Sequence, residues 1–430
     1  MAKLGLAVGT SANLCFFSNK SDAGSGRATR LGWILCPANP RCSSLATIWA
    51  AAVEAPPRSI DMEVVRSLNG WVAANMLLLL NPVESSGGGA NNFLPCSAAT
   101  PGASEEEALS AFMDDVATLR AGAAGVPDEV LVCLVGNMVT EEALPSYQSM
   151  GNRTEGIADD TGASSLPWAQ WIHGWTAEEN RHGDLLNRYL YFSGRVDMRQ
   201  VETTVHHLLR NGMEMLVPKS PYHSVIYGAF QERATFVSHV HTARLAGQHG
   251  DQALAKICGV IAADEKRHEA GYTRVCAKLF EVDPDGMVRA LAHVMHGKVT
   301  MPGLLMSDGH DAASGENSLF ERFSAVAQSA GVCTARDYGD LVEHFMRRWR
   351  VAELAGLSGE GRRAQEYVCG LPPKRSWHTR GWPVASSGRP ASVGSSIGTS
   401  WWAEPWTNVC LVCLKRKTYV WLDSHPQKKV

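Results

Sequence analysis

One short phrase occurs twice in this chain, as Glu179-Asn180-Arg181-His182 and as Glu265-Lys266-Arg267-His268. On a helix, the carboxylate and imidazole of each Glu-x-x-His lie about one turn apart on the same face. That is the spacing required of ligands projecting from two helices onto a metal between them. Buried charges need a partner or an ion, so a fold that keeps both phrases inside must bring them together.

A pair of metal ions needs more carboxylate than two such phrases supply, and the remaining helices of a four-helix core would each contribute one. Glu141, in GNMVTEEALPSYQ, stands 38 residues before Glu179, and Glu232, in GAFQERATFVSH, stands 33 residues before Glu265. The order Glu, Glu-x-x-His, Glu, Glu-x-x-His reads as an approximate duplication of a two-helix unit. Hard carboxylates mixed with imidazoles suit iron or manganese better than a thiolate-seeking metal. A lone Glu-x-x-His is most often a solvated helix face. Here Trp168, Trp171, Ile172 and Trp175 precede the first phrase, and Leu185, Leu186, Tyr189 and Leu190 follow it. Ile257, Val260 and Ile261 precede the second, with Tyr272, Val275, Leu279 and Phe280 after it, so both phrases lie inside apolar helices. The core helices are expected near residues 126–150, 166–192, 221–249 and 251–280, followed by shorter ones near 285–299, 318–330 and 334–355. Ser104 with Glu107 has capping-box spacing, Asp251 is placed to cap the fourth core helix, and Gly194 and Gly250 stand just past helix ends.

The phrases WTAEENRHGDLLNRYLYFSGRVDMRQ, FQERATFVSH, ICGVIAADEKRHEAGYTRV and GLSGEGRRAQEYVCGLPP resemble the soluble plastid acyl-acyl-carrier-protein desaturases of plants, the stearoyl 9-desaturases in particular. The resemblance runs from about Met62 to Pro373. It implies an all-α, ferritin-like di-iron four-helix core extended by additional helices. It also implies two Fe2+ ions per chain on Glu141, Glu179, His182, Glu232, Glu265 and His268, the six residues that spacing selects. By the same resemblance, Thr235 assists oxygen activation or proton delivery, and Asp264 holds the far nitrogen of His182. The reaction implied is O2-dependent formation of a cis double bond, at C9 of stearoyl on acyl carrier protein, with electrons from reduced ferredoxin. A homodimer is implied on the same ground.

Composition narrows the alternatives. A net charge of -3 provides no polycation for nucleic acid. The longest conspicuous apolar run, Met76–Leu80, is far below the roughly 20 residues that span a bilayer, so no membrane insertion is expected. Eleven cysteines follow no disulfide-framework spacing, and the single CxxC, Cys410 to Cys413, has no second pair. His206, His207, His239, His241 and His249 read as ordinary helix or surface histidines, and Arg347, Arg348 and Arg350 around Trp349 as a solvated face. Residues 1–50 carry five basic side chains against one acid, Asp22, which is the composition of an organelle transit peptide, and the resemblance implies the plastid stroma as its destination. Residues 51–373 would then form the di-iron domain, with 374–430 a disordered or mistranslated tail outside the family pattern.

Three departures from that pattern mark the chain. Val83–Asn92 is rich in Gly, Ser and Asn and has no aromatic residue before Phe93, where the family carries a tryptophan on its electron route. Asn137 replaces an aspartate one turn before Glu141. The family's C-terminal helix and strands are missing after Lys374. These departures support a second reading, a non-catalytic di-iron-binding paralogue with impaired electron delivery.

Overall fold

In the computed structural model, residues 59–81, 93–96, 103–212, 220–297, 302–309 and 318–371 are described. The expected transit peptide, the glycine-rich segment after Asn81, the tail and its CxxC lie outside these residues. Every regular element among them is helical: α1 Ser59–Ser67, α2 Asn69–Asn75, α3 Glu105–Ala123, α4 Asp128–Glu142, α5 Leu144–Gly151, α6 Pro167–Ser193 and α7 Met198–Asn211 come first. They are followed by α8 Pro221–Gln248, α9 Gln252–Val282, α10 Pro284–Gly297, α11 Leu319–Ser329, α12 Ala335–Arg348 and α13 Gly359–Cys369. Short 3-10 turns stand at Leu77–Leu79, Pro302–Leu305 and Val351–Glu353.

Local chemistry sets several of the ends. Ser104 and Glu107 form a reciprocal capping box at the start of α3. Asp251 accepts from the Leu254 amide at 2.8 Å to start α9, and its other oxygen accepts from the buried Tyr189 hydroxyl at 2.6 Å. The cap of one core helix is thereby tied to the middle of another. Gly194 ends α6 at φ 64°, a left-handed conformation that glycine adopts without steric penalty.

The expected helix over 126–150 is instead two helices. α4 closes at Glu142, Ala143 leaves helical geometry at ψ 16°, and Pro145, with no amide hydrogen, lies in the first turn of α5. Glu141 therefore sits in the last turn of α4. The expected helix over 334–355 ends at Arg348, because Arg350 takes φ 49° and a new 3-10 turn follows.

Two apolar clusters flank a polar layer. The first contains Trp171, Phe230, Tyr272 and Leu279, with α10, α12 and α13 packed onto it. The second contains Leu134, Met138, Leu186, Tyr189, Ile257 and Ile261. α6 and α8 pass from the first cluster to the second, whereas α9 passes from the second to the first, and each crosses the same layer. The layer is where Glu141, Glu179, His182, Glu232, Glu265 and His268 stand. Among the described residues no single helix is long and apolar enough to cross a membrane.

Close packing at the layer rests on Gly271, one turn beyond His268. A Cβ there would lie 2.5 Å from Cη2 of the fully buried Trp171, a rigid ring that must move to admit it. Gly271→Ala is expected to destabilise the protein by about 1–3 kcal/mol, the usual cost of overpacking. The check is a chemical denaturation midpoint, which should fall at unchanged m-value.

Candidate metal centre

The four helices α4, α6, α8 and α9 bring the six sequence-selected residues into one buried cluster. Two overlapping groups have ligand atoms within 4.8 Å of one another: Glu141, Glu179, His182 and Glu265 in one, Glu179, Glu232, Glu265 and His268 in the other. Glu179 and Glu265 are common to both. His182 Nδ1 lies 3.3 Å from Glu179 Oε2, 3.5 Å from Glu265 Oε1 and 4.0 Å from Glu141 Oε2. His268 Nδ1 lies 2.8 Å from Glu179 Oε1 and 3.3 Å from Glu232 Oε2.

The cluster fits metal ions by a test internal to the structure. Glu179 Oε1, Glu232 Oε2, Glu265 Oε1 and His268 Nδ1 are buried and meet only one another or His182 Nδ1, at ion-pair distance and without a hydrogen bond of acceptable geometry. Orphaned polar atoms of this kind are costly, yet all four face the same interior volume. The four carboxylates also repel one another when no cation lies between them, a repulsion that the two imidazoles relieve only by holding protons. Burial, then the charges of Glu179 and Glu265, push the Glu141 carboxyl well above its usual range; burial and Glu179 do the same to Glu232. Burial alone would depress the His182 imidazole, but hydrogen bonds with Asp264 and Glu179 hold it well above the ordinary histidine range. Glu178 and Glu179 act likewise on His268. The protons held this way are those a divalent cation displaces on binding.

The outer partners orient both rings. His182 Nε2 lies 3.3 Å from Asp264 Oδ2, and His268 Nε2 lies 3.2 Å from Glu178 Oε2. An ionised carboxylate only accepts, so each Nε2 carries the hydrogen and each Nδ1 faces the cluster. Trp175 donates its indole N–H to Glu232 Oε1 at 2.9 Å. Tyr147, Trp175, Tyr272 and Trp171 form a run of edge-to-face rings that ends against His268.

Glu178, Arg267, Trp175 and His239 belong to the surroundings of this cluster without having been selected from sequence. The signal for Glu178 was present: the repeat is longer than Glu-x-x-His, reading acid-Glu-x-Arg-His at both 178–182 and 264–268. His239, read from sequence as an ordinary helix or surface histidine, is fully buried with Nε2 3.7 Å from Glu141 Oε1. Thr235 stands apart from the carboxylates in its hydrogen bonding, since its hydroxyl donates to the Gln231 and Glu232 carbonyls at 3.2 and 3.0 Å. Asn137, at the second departure from the family pattern, donates to the Ser238 hydroxyl at 3.1 Å. Arg347 and Arg350 pair with Glu343 and Glu353 on exposed surface, while Trp349 is buried and donates to the Thr273 carbonyl.

Comparison with known proteins agrees with this geometry. The family described as fatty acid desaturase matches residues 60–379. The chain is 68% identical over 393 residues to acyl-[acyl-carrier-protein] desaturase 4, chloroplastic, of Oryza sativa subsp. japonica, covering 87% of this chain and 92% of that one. It is 59% identical over 314 residues to acyl-[acyl-carrier-protein] desaturase 7, chloroplastic, of Oryza sativa subsp. indica, covering 73% and 74%. It is 54% identical over 319 residues to the chloroplastic stearoyl-[acyl-carrier-protein] 9-desaturase of Carthamus tinctorius, covering 74% and 76%.

Proposed function

The chain belongs to the fatty acid desaturase family, and from that premise we propose that it places a cis double bond in an acyl chain carried on acyl carrier protein. The bond forms at C9 of stearoyl, with O2 as oxidant and reduced ferredoxin as donor. The observation that supports this most directly is the buried convergence of Glu141, Glu179, His182, Glu232, Glu265 and His268, whose facing ligand atoms lack hydrogen bonds of acceptable geometry.

The electron balance suits such a site. Adjacent methylenes give up two hydrogen atoms, that is two electrons and two protons; two further electrons from one-electron donors and two protons from solvent complete the reduction of O2 to two waters. Two ferrous ions held by the six residues would supply reduction of O2 and the oxidising power to break unactivated C–H bonds. The chain's own residues do the rest. Glu179 and Glu265, members of both ligand groups, would be shared by the two ions, Asp264 and Glu178 hold the histidine protons outward, and the two apolar clusters exclude water. Asp264 is assigned to orienting His182. Thr235 is assigned to proton delivery, a role that requires its hydroxyl to turn away from the two carbonyls it now meets.

Residues 1–50 are assigned as a plastid transit peptide and 51–373 as the catalytic domain, acting as a homodimer in the stroma; the relatives are named chloroplastic. The non-catalytic alternative rests on Val83–Asn92, which lacks an aromatic residue before Phe93.

Iron-loaded protein incubated with stearoyl-acyl carrier protein, O2 and reduced ferredoxin should yield oleoyl product by mass spectrometry. Product after chemical reduction of the protein but none with ferredoxin would favour the paralogue with impaired electron delivery. No unsaturated product by either route, with two irons bound, would sink the stearoyl assignment.

A further inference from the structure

We propose that Arg267 is a positioning residue that couples the two halves of the metal centre, fixing both histidines at once through their outer carboxylates. The inference rests on the dimetal reading above. Arg267 Nη2 donates to Glu178 Oε2 at 2.9 Å and also to Asp264 Oδ1. Glu178 meets His268 Nε2 and Asp264 meets His182 Nε2. The result is one continuous hydrogen-bonded bridge, His268 to Glu178 to Arg267 to Asp264 to His182.

The sequence repeat would place an equivalent arginine, Arg181, in the first phrase, but the structure breaks that symmetry. Arg181 stays 3.9 Å from Glu178 and donates to the Asn81 carbonyl at 2.9 Å. Of the two arginines, Arg267 contacts both acids, and its Nη1 also donates to the Leu79 carbonyl at 2.6 Å. The other oxygen of Glu178, Oε1, accepts from the Asn81 amide. Residues 79 and 81 are thereby hydrogen-bonded to the outer side of the bridge, which stays partly exposed at Arg267.

Only arginine suits this position. The two carboxylates meet Nη2 and the Leu79 carbonyl meets Nη1, a spread over two atoms in one plane that a guanidinium spans and the single nitrogen of an ammonium does not. Without it, the buried Glu178 and the partly buried Asp264 would be neighbouring acids with no cation between them, free to turn away from the imidazoles they orient.

The test uses the full chain loaded with 57Fe(II), with metal affinity by titration and Mössbauer spectra of the diferrous protein. Glu178→Gln is expected to shift the signal of one iron and Asp264→Asn that of the other. Arg267→Gln should shift both and weaken both binding steps about 10–100-fold, the usual effect of removing an outer-shell partner. Arg267→Lys should recover only part of the loss. A wild-type spectrum and affinity for Arg267→Gln, or a change confined to one iron, overturns the proposal. If circular dichroism shows that Arg267→Gln does not fold, the Glu178→Gln/Asp264→Asn double variant decides: non-additive effects on affinity support the bridge, additive ones overturn it. Wild-type protein that binds no pair of irons removes the metal reading itself, and the proposal with it.

Discussion

Glu265→Ala is expected to abolish desaturation and to reduce bound iron from a pair to one ion or none, measured by elemental analysis of the purified protein. Glu265 is one of the two carboxylates common to both ligand groups, so its loss opens both positions at once. Glu141 and Glu232 each belong to one group, and Glu141→Ala and Glu232→Ala should each empty one position preferentially. Equal iron loss in all three variants would contradict the shared role of Glu265.

The metal-free protein should respond in the opposite sense. With no cation present the buried carboxylates repel, and the Glu141 and Glu232 carboxyls hold protons well above their usual range because of burial and the neighbouring Glu179. A folded-state pKa above the unfolded value means that folding binds protons, so stability falls as pH rises above the unfolded carboxylate pKa of about 4.3. The raised pKa values of His182 and His268 act in the same direction at higher pH. The melting temperature of the apo protein should therefore drop between about pH 5 and pH 8, and Glu141→Gln and Glu232→Gln should drop less. Metal reverses the order: wild type gains about 4.1 kcal/mol per site at a thousandfold excess over Kd, and the variants gain less. A melting temperature for apo Glu141→Gln that tracks wild type across this range would show that the cluster is not strained by its own charge.

Trp171→Ala should cause the largest loss of stability from a single change near the site, about 3–5 kcal/mol. The indole is fully buried, packs edge-to-face against Tyr272 with centroids 5.6 Å apart, and meets His268 at 6.5 Å. Gly271 leaves the space that its outer ring fills, so there is no slack from which neighbours could collapse into the hole. Trp171→Phe keeps a ring against Tyr272 and should cost clearly less. Urea unfolding of the apo forms separates this packing effect from metal binding. Equal midpoints for Trp171→Ala and wild type would overturn it.

The two Glu-x-x-His phrases and their flanking apolar residues made the helical core and the six clustered residues legible before any coordinates, because a period of 3.6 residues places i and i+3 on one face whatever the surroundings. The capping of α3 and α9 was legible for a similarly local reason: a side-chain oxygen two or three residues from an unpaired amide reaches it in nearly any fold. The break at Ala143 was carried by Pro145, a signal that a strong apolar pattern over 126–150 outweighed. His239 could not be found in this way. Nothing in FVSHVH distinguishes a buried imidazole facing Glu141 from a surface one, since the neighbour is nearly a hundred residues away in the chain.

Sequence alone determined which residues are able to bind metal and that four helices must carry them, because ligand chemistry and helical period are properties of the residues themselves. Tertiary structure decided the pairing: which carboxylates are shared, which acid stands behind which histidine, and that Arg267 rather than its repeat partner Arg181 spans both. Those are matters of distance between helices, and distance is set by how apolar side chains such as Trp171 close-pack across Gly271, not by the order of residues along any one of them.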